Sequence, residues 1–164
     1  MAQYLITPCT SLKGTVAVSG SKNASLPILA ACLLANGTCI LRHVPELSDT
    51  AHMCHLLEEL GATCQRTEDH CIAITPGDFR RKSASFETVN KLRASFLVMG
   101  PILARSGRIR IPMPGGCQIG ARPIDLHLKG FAAMGAKIRQ GHGYVEAKCD
   151  RLQGTRIYLD FPSV

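Results

Sequence analysis

The stretch DTAHMCHLLEELGATCQRTEDHCIAIT, residues 49–75, decides the fold because two periodicities follow one another in it. Residues 49–60 place apolar side chains at the spacing of one helix face. Gly61-Ala62 then ends the helix, and residues 62–66 and 71–75 have the composition of strands. The apolar helix positions are Met53, Leu56, Leu57 and Leu60. This stretch therefore predicts a helix followed by two strands.

The same order recurs in PIDLHLKGFAAMGAKIRQGHGYVEAK, residues 123–148. We predict a helix over residues 123–134, with Gly135-Ala136 at the point where Gly61-Ala62 ends the first. Strands are expected before and after the two helices. Their predicted ranges are residues 39–44, 108–112, 136–140 and 144–148.

Each unit also begins with a nearly all-apolar helix, over residues 26–35 in the first and 88–105 in the second. Gly100-Pro101 predicts a kink in the second. Because both helices are apolar on every side, we expect them to be central and buried.

These elements predict an α/β fold built from repeated βαβαββ units that stack to cover their apolar faces. The units are expected at about residues 21–80 and 81–150, with a third opening at about 151–164 and a strand at 155–160. Residues 1–7 have no partner strand within the repeats, so we expect them in a different layer.

The composition indicates a soluble, unexported protein with a preference for small anions. The net charge of +7 comes from 19 Lys and Arg against 12 Asp and Glu, and the mean hydropathy is +0.10. The basic residues are scattered and no Trp is present, which disfavours nucleic acid, although a solvated basic surface explains most of these charges. The longest apolar run is residues 26–35, too short for a bilayer, and no signal peptide opens the chain.

Eight cysteines in a chain of this kind are expected to be reduced, which favours the cytoplasm. Six of them lie in predicted helices and strands, where a thiol packs as a small hydrophobe. A rival reading is a zinc site built from neighbouring His and Cys residues, but no C-x2-C pair supports it. The zinc candidates are His52, Cys54, His55, Cys64, His70 and Cys71. The packing cysteines are Cys32, Cys39, Cys54, Cys64, Cys71 and Cys149.

The segment PGGCQIGARP, residues 114–123, differs from the others because it places Cys117 among glycines in a predicted loop. Gly115, Gly116 and Gly120 give that loop conformational freedom. Arg122 and Pro123 are expected to open a helix, with Pro123 at its first position. A nearby cation and helix N-terminus favour the thiolate and welcome an anion.

A second segment, GSKNASLP over residues 20–27, puts Lys22 where a glycine turn leads into a helix. Asn23 or Ser25 is expected to cap that helix. The Walker spacing is absent, so taken alone Lys22 also fits an ordinary capped helix. His127, on the helix after the Cys117 loop, is a further candidate by position.

With these motifs in hand, the whole chain resembles the UDP-N-acetylglucosamine 1-carboxyvinyltransferase family, the enolpyruvyl transferases that begin bacterial peptidoglycan synthesis. The pieces that carry the resemblance are residues 20–24 (GSKNA), 92–95 (LRAS), 114–123 and 125–127 (DLH). The Cys117 loop separates this family from the related shikimate-pathway enolpyruvyl transferase.

The resemblance implies transfer of enolpyruvyl from phosphoenolpyruvate to the 3′-hydroxyl of UDP-N-acetylglucosamine, with release of phosphate and no metal or organic cofactor. It implies that Lys22 and Arg122 hold phosphoenolpyruvate, and that Cys117 protonates the vinyl carbon or aids product release and is alkylated by fosfomycin. The nucleotide-sugar contacts it implies are Asn23, Arg93, Arg122, Pro123, Ile124, Asp125, Leu126, His127, Ser163 and Val164. Partners of nucleic acid or membrane character are not implied.

The family resembled here forms an inside-out α/β barrel with its site between two domains, which implies that residues 1–20 belong to a second domain and 21–164 to an incomplete repeat domain. The chain ends within the third repeat, so we expect negligible turnover by these 164 residues alone. Leu97 replaces an aromatic that some members carry four residues after the Arg93 position. The alternatives are a non-catalytic nucleotide-sugar binder, the shikimate-pathway enzyme and a zinc-bound structural module.

Overall fold

Two successive units of similar construction make up the structure, a computed structural model that describes residues 3–8, 10–67, 70–79, 84–113 and 124–160. The first unit contains α1 (Lys22–Ala31), a 3-10 turn (Cys32–Leu34), β1 (Cys39–Leu41), α2 (Ser48–Glu59), β2 (Thr63–Thr67) and β3 (Cys71–Thr75). The second contains α3 (Phe86–Lys91), a 3-10 helix (Arg93–Val98), α4 (Met99–Ser106), β4 (Arg108–Pro112), α5 (Asp125–Ala133), β5 (Lys137–Gly141) and β6 (Tyr144–Lys148).

Each unit forms one three-stranded sheet, in the order β1-β3-β2 and β4-β6-β5. The last strand of each unit lies in the centre and pairs antiparallel with both neighbours. Ile74 of β3 faces Cys39 on one side and Cys64 on the other, and Ala147 of β6 faces Ile109 and Ile138 in the same way. The predicted strands at 39–44, 62–66, 71–75, 108–112, 136–140 and 144–148 are therefore confirmed, with shifts of a few residues at their ends.

Helices α2 and α5 end in the same way, which confirms the equivalence of Gly61-Ala62 and Gly135-Ala136. Gly61 has φ +105 and Gly135 has φ +93, a left-handed backbone that favours glycine. The Ala62 amide donates to the Leu57 carbonyl, and Ala136 donates to Phe131, both at 2.9 Å. In each unit, a glycine two residues after the last helical residue thus turns the chain from helix into strand.

We expected one helix over residues 88–105 with a kink at Gly100-Pro101, but the structure has three shorter helices in this region. The segment breaks at Leu92, whose extended backbone (φ −137, ψ 117) separates α3 from the 3-10 helix. Pro101 lies in the first turn of α4, where its missing N–H removes no helical hydrogen bond. The proline therefore helps to start a helix instead of bending one.

Two predicted strands are absent from the described residues. Residues 10–20 and 152–159 contain no strand, because no neighbouring strand pairs with either segment in this part of the chain. Apolar side chains there are exposed; Leu12, Val16 and Val18 are at least 86% accessible, and Tyr158 is 79% accessible. The strand expected to open the first unit before α1, and the strand expected at 155–160, are thus absent from these described residues.

The core lies between the helices and one face of each sheet. Leu29, Met53, Ile74, Ile102 and Ile111 are completely buried in it. The first apolar helix is only partly enclosed, contrary to expectation, because its Ile28 and the following Leu34 remain about half exposed at 48% and 51%. Five of the six cysteines predicted to pack lie at this core: Cys32 is buried, and Cys39, Cys54, Cys64 and Cys149 are partly buried against it. The sixth, Cys71, is partly buried.

Candidate functional site

Lys22 is the first residue of α1, and Asn23 is the second. The cap of this helix is Ser21, whose hydroxyl accepts a hydrogen bond from the Ala24 amide at 3.3 Å. The expectation that Asn23 or Ser25 caps the helix is therefore wrong. Ser25 instead donates its hydroxyl to the Ser21 carbonyl at 2.8 Å, which tightens the first turn. Both Lys22 and Asn23 are exposed, at the positive end of the helix.

Gly20 fixes where Lys22 begins its helix. A Cβ at Gly20 would overlap the His43 carbonyl oxygen and lie 3.3 Å from the Pro45 ring. Only glycine lets the chain before α1 approach the loop between β1 and α2 this closely. The turn predicted at residues 20–22 thus acts by close backbone approach, which brings the start of α1 beside the start of α2.

Asp49 meets Lys22 at this junction. The Lys22 Nζ lies 2.8 Å from Asp49 Oδ2, and the two side chains are 45% and 32% exposed. Asp49 belongs to the first turn of α2, whereas the first turn of α1 has no acidic residue. The ion pair therefore joins the N-terminal ends of two helices and leaves part of the ammonium open to solvent.

The 3-10 helix that begins at Arg93 contacts His127 of α5 through Phe96. Arg93 is the first residue of the 3-10 helix and Phe96 lies one turn later, on the same side. The Phe96 ring stacks on the His127 imidazole, with centroids 5.7 Å apart and planes 14° apart. Phe96 is 5% exposed, while His127 is exposed. A buried ring thus supports one face of an accessible imidazole.

Helix α5 begins later than the sequence predicted. Its first residue is Asp125 and its N-cap is Ile124, two residues after the predicted start of the helix. Asp125 and His127 are exposed, and Ile124 and Leu126 are partly buried. This difference moves the open helix end two residues towards His127, and the acidic Asp125 is favourable in its first turn.

The structure brings together Lys22 and Asn23 at one helix start, and it stacks His127 on Phe96, three residues after Arg93 in the 3-10 helix. Helix α1 also packs against the 3-10 helix that carries Arg93. The remaining predicted site residues, Cys117, Arg122, Pro123, Ser163 and Val164, lie outside the described residues, as do Gly115, Gly116 and Gly120.

The cysteines that pack at the core differ in the direction in which their pKa is shifted. Burial, with Cys39 nearby, raises the pKa of Cys32 to about 12. The neighbouring Cys54 thiol and burial raise the pKa of Cys64, while the contact with Cys64 lowers the pKa of Cys54. Burial also raises the pKa of Cys149. Cys32, Cys64 and Cys149 are therefore poor nucleophiles near neutral pH.

Among the residues that the structure describes, no group of three or more His, Cys, Asp or Glu side chains is arranged to hold a metal ion. The zinc candidates His52, Cys54, His55, Cys64, His70 and Cys71 do not form such a group. Within the same described ranges, no helix has the length and hydropathy needed to cross a bilayer.

Two residues of this region were not predicted. Asp49 was assigned only to the start of a helix, although an acid in a first turn next to a loop was a usable signal. Phe96 was overlooked beside Leu97, the position at which an aromatic was expected. Leu97 instead packs partly buried against the core, and the neighbouring Phe96 supplies the ring that contacts His127.

Curated bacterial proteins resemble this chain along its whole length. A Carboxydothermus hydrogenoformans protein named UDP-N-acetylglucosamine 1-carboxyvinyltransferase 2 is 56% identical over 164 residues, which are 100% of this chain and 39% of that protein. Proteins named UDP-N-acetylglucosamine 1-carboxyvinyltransferase from Lawsonia intracellularis and Halothermothrix orenii are 55% and 47% identical, with the same coverage. The chain spans 39% of the length of these relatives.

Solved structures share the fold. The enolpyruvyl transferase NikO from Streptomyces tendae superposes with a TM-score of 0.73 at 20% identity, covering 87% of this chain and 31% of that one. EPSP synthase from Acinetobacter baumannii gives 0.69 at 19% identity, covering 92% and 35%. The sequence model described as EPSP synthase (3-phosphoshikimate 1-carboxyvinyltransferase) matches residues 6–164. The chain therefore belongs to the EPSP synthase family of enolpyruvyl-transferring enzymes.

Proposed function

We propose that this chain is the N-terminal part of an enzyme that transfers enolpyruvyl from phosphoenolpyruvate to the 3′-hydroxyl of UDP-N-acetylglucosamine. The observation that carries this proposal is the 47–56% identity, over the whole chain, to proteins named for that activity. The exposed ammonium of Lys22 at a helix N-terminus supports it, because an anionic substrate is favoured there.

In this proposal Lys22 and Arg122 hold the carboxylate and phosphate of phosphoenolpyruvate. The 3′-hydroxyl oxygen attacks C2 and gives its proton to a base in the second domain, while the Cys117 thiol gives its proton to C3, which forms a tetrahedral ketal. The Cys117 thiolate then takes a proton back from C3 as the C2–phosphate oxygen bond breaks, which restores the double bond, and phosphate leaves with the proton that the base holds. Fixed cations stabilise the charge that develops during addition, and a thiol whose pKa lies near the working pH is a suitable proton donor.

The nucleotide sugar is assigned to residues of both parts of the candidate site, the start of α1 and the region around Phe96. Asn23, Arg93 and His127 would contact it, together with residues 122–126 and the Ser163-Val164 pair. The stack of His127 on Phe96 supports this assignment, because a supported imidazole offers a fixed contact to a ligand. A loop that closes on Gly115, Gly116 and Gly120 would exclude water from the ketal.

The proposal extends to architecture and cellular role. The two sheets would belong to an inside-out barrel of βαβαββ repeats, with residues 1–20 in a second domain that completes the site. The isolated 164 residues would then have negligible turnover. The reaction would serve peptidoglycan synthesis in the bacterial cytoplasm, and fosfomycin would alkylate Cys117.

Phosphate release and product mass test the activity in the protein at its full encoded length. We expect release only when phosphoenolpyruvate and UDP-N-acetylglucosamine are both present. Lys22→Gln should reduce kcat/KM about 100-fold. Lys91→Gln, which removes a lysine that is paired with Glu87 at 2.7 Å and has no role in the proposed mechanism, should leave kcat/KM unchanged. Equal activity of the two variants would contradict the proposal.

Thiol modification tests Cys117 separately. Intact mass after fosfomycin treatment should show one adduct, which Cys117→Ser removes and Cys149→Ser retains. Absence of an adduct, together with turnover of 3-phosphoshikimate, would favour the related activity that the family description names. Binding of UDP-N-acetylglucosamine without turnover at full length would indicate a nucleotide-sugar binder.

A further inference from the structure

Both partners of the Lys22–Asp49 ion pair rest on fixed backbone. Gly20 holds the start of α1 against the His43 carbonyl. On the other side Thr50, which is completely buried, donates its hydroxyl to the Pro45 carbonyl at 2.8 Å and accepts the Leu47 amide at 3.3 Å. The backbone at Asp49 is therefore anchored independently of the ion pair.

The ion pair places a flexible side chain. Lysine has a four-carbon stem with much rotamer freedom and carries three donors on its ammonium. The contact of 2.8 Å to Asp49 uses one donor, and the side chain remains 45% exposed, so the other two stay available. A cation at a helix N-terminus also opposes the helix dipole, and no acid in the first turn of α1 offsets this. The carboxylate that offsets it comes from α2.

We propose that Asp49 is a positioning residue, which holds the Lys22 ammonium in place for the anionic group of phosphoenolpyruvate. This inference rests on the proposed function and names a residue that the proposed mechanism does not use. The ammonium is placed before the anion arrives, so the anion does not have to restrict the lysine when it binds.

Charge repulsion alone predicts the opposite change in phosphoenolpyruvate affinity when Asp49 is removed. A carboxylate beside the site repels an anion, so its removal would strengthen binding if charge were its only effect. Positioning predicts that removal weakens binding, because the ammonium is then free to leave the site. The direction of the change therefore distinguishes the two.

Binding measurements in the protein at its full encoded length test this. Asp49→Ala should weaken the affinity for phosphoenolpyruvate about tenfold, within the range for residues in direct contact. Glu87→Ala is the matched control, since Glu87 is also a first-turn acid paired with a lysine, at 2.7 Å, and should have no effect. In a Lys22→Gln background, Asp49→Ala should cause no further loss. Unchanged or tighter binding by Asp49→Ala, or an equal loss in both backgrounds, overturns the inference.

A second test of the role of Asp49 measures the chemical reactivity of Lys22 and does not depend on enzymatic activity. The rate at which acetic anhydride modifies Lys22 should rise in Asp49→Ala, while that of Lys91 rises only in Glu87→Ala. An unchanged rate at Lys22 overturns the inference even where the protein binds phosphoenolpyruvate. Failure of the wild-type protein to bind phosphoenolpyruvate contradicts the proposed function, and the modification rate then decides the role of Asp49.

Discussion

The Phe96 ring lies against the His127 imidazole, with only 14° between their planes. The two residues come from different elements, the 3-10 helix before α4 and the first turn of α5. Since Phe96 is buried and His127 is exposed, the contact transmits the rigidity of the core to an accessible side chain.

We expect the two members of this stack to behave differently on substitution. His127→Ala should change the free energy of unfolding by no more than about 0.5 kcal/mol, because the side chain is exposed, and should raise the KM for UDP-N-acetylglucosamine. Phe96→Leu should raise the same KM and also cost about 1–2 kcal/mol of stability, because it leaves a cavity. Urea unfolding and steady-state kinetics measure both, with exposed His55→Ala as control. An unchanged KM in both variants would contradict the role of the stack.

Gly20→Ala should disturb the start of α1. Its new methyl group would meet the His43 carbonyl, and relief of that overlap should cost about 1–3 kcal/mol. The displaced helix start should also weaken phosphoenolpyruvate binding through Lys22. Gly14→Ala is the control, because nothing lies within 4 Å of a Cβ at that position. Equal unfolding midpoints for the two variants would show that the close approach is not needed.

Arg105 connects the two units. Its Nη1 donates to the Leu33 carbonyl at 2.9 Å and to Ala35 at 2.7 Å, and its guanidinium lies 5.1 Å from the Phe79 ring centroid. Arg105→Met should therefore lower the free energy of unfolding by about 1.5–3 kcal/mol, measured by urea titration. The exposed Arg151→Met should change it by less than about 0.5 kcal/mol. If both variants unfold alike, the connection contributes nothing.

Glu146 should stabilise the second sheet in a pH-dependent way. Hydrogen bonds from Arg108, at 2.6 Å and 2.9 Å, lower the pKa of this carboxyl below its ordinary value. A lowered pKa gives stability above the pKa of the unfolded state, and this is lost as the pH falls through that of the folded state. Glu146→Gln should therefore lower the free energy of unfolding at pH 7 and lower it much less at about pH 3. Urea titration at the two pH values measures this difference. Glu46→Gln, whose nearest contact to Arg66 is 3.7 Å, should show a smaller difference. A cost for Glu146→Gln that is equal at both pH values would contradict this.

Periodicity predicted the sheets and the two surface helices because their signals are local. A glycine at the end of α2 and of α5, and alternation in the strands, depend on few residues. The break at Leu92 was not predicted, although the polar residues Asn90, Lys91 and Arg93 interrupt the apolar segment at this point. The strand expected before α1 and the one expected at 155–160 are absent for another reason: strand formation needs a partner, and composition does not provide one.

The candidate site was predictable where a motif was local. Lys22 does lie at a helix start, and the segment with His127 does open α5. Asp49 and Phe96 were not predicted, because their contacts join residues 27 and 31 positions apart in the chain. Side-chain pairs of this kind depend on packing between elements, which spacing within one element does not reveal.

The strand order of each sheet has a consequence for synthesis on the ribosome. In the order β1-β3-β2, the central strand is made last, and β1 and β2 form no ladder with one another. Nascent β1 must therefore wait, through the whole of α2, until the β2–β3 hairpin emerges and offers it an edge. The same delay recurs for β4, so each of the two units gains its backbone pairing in one late event.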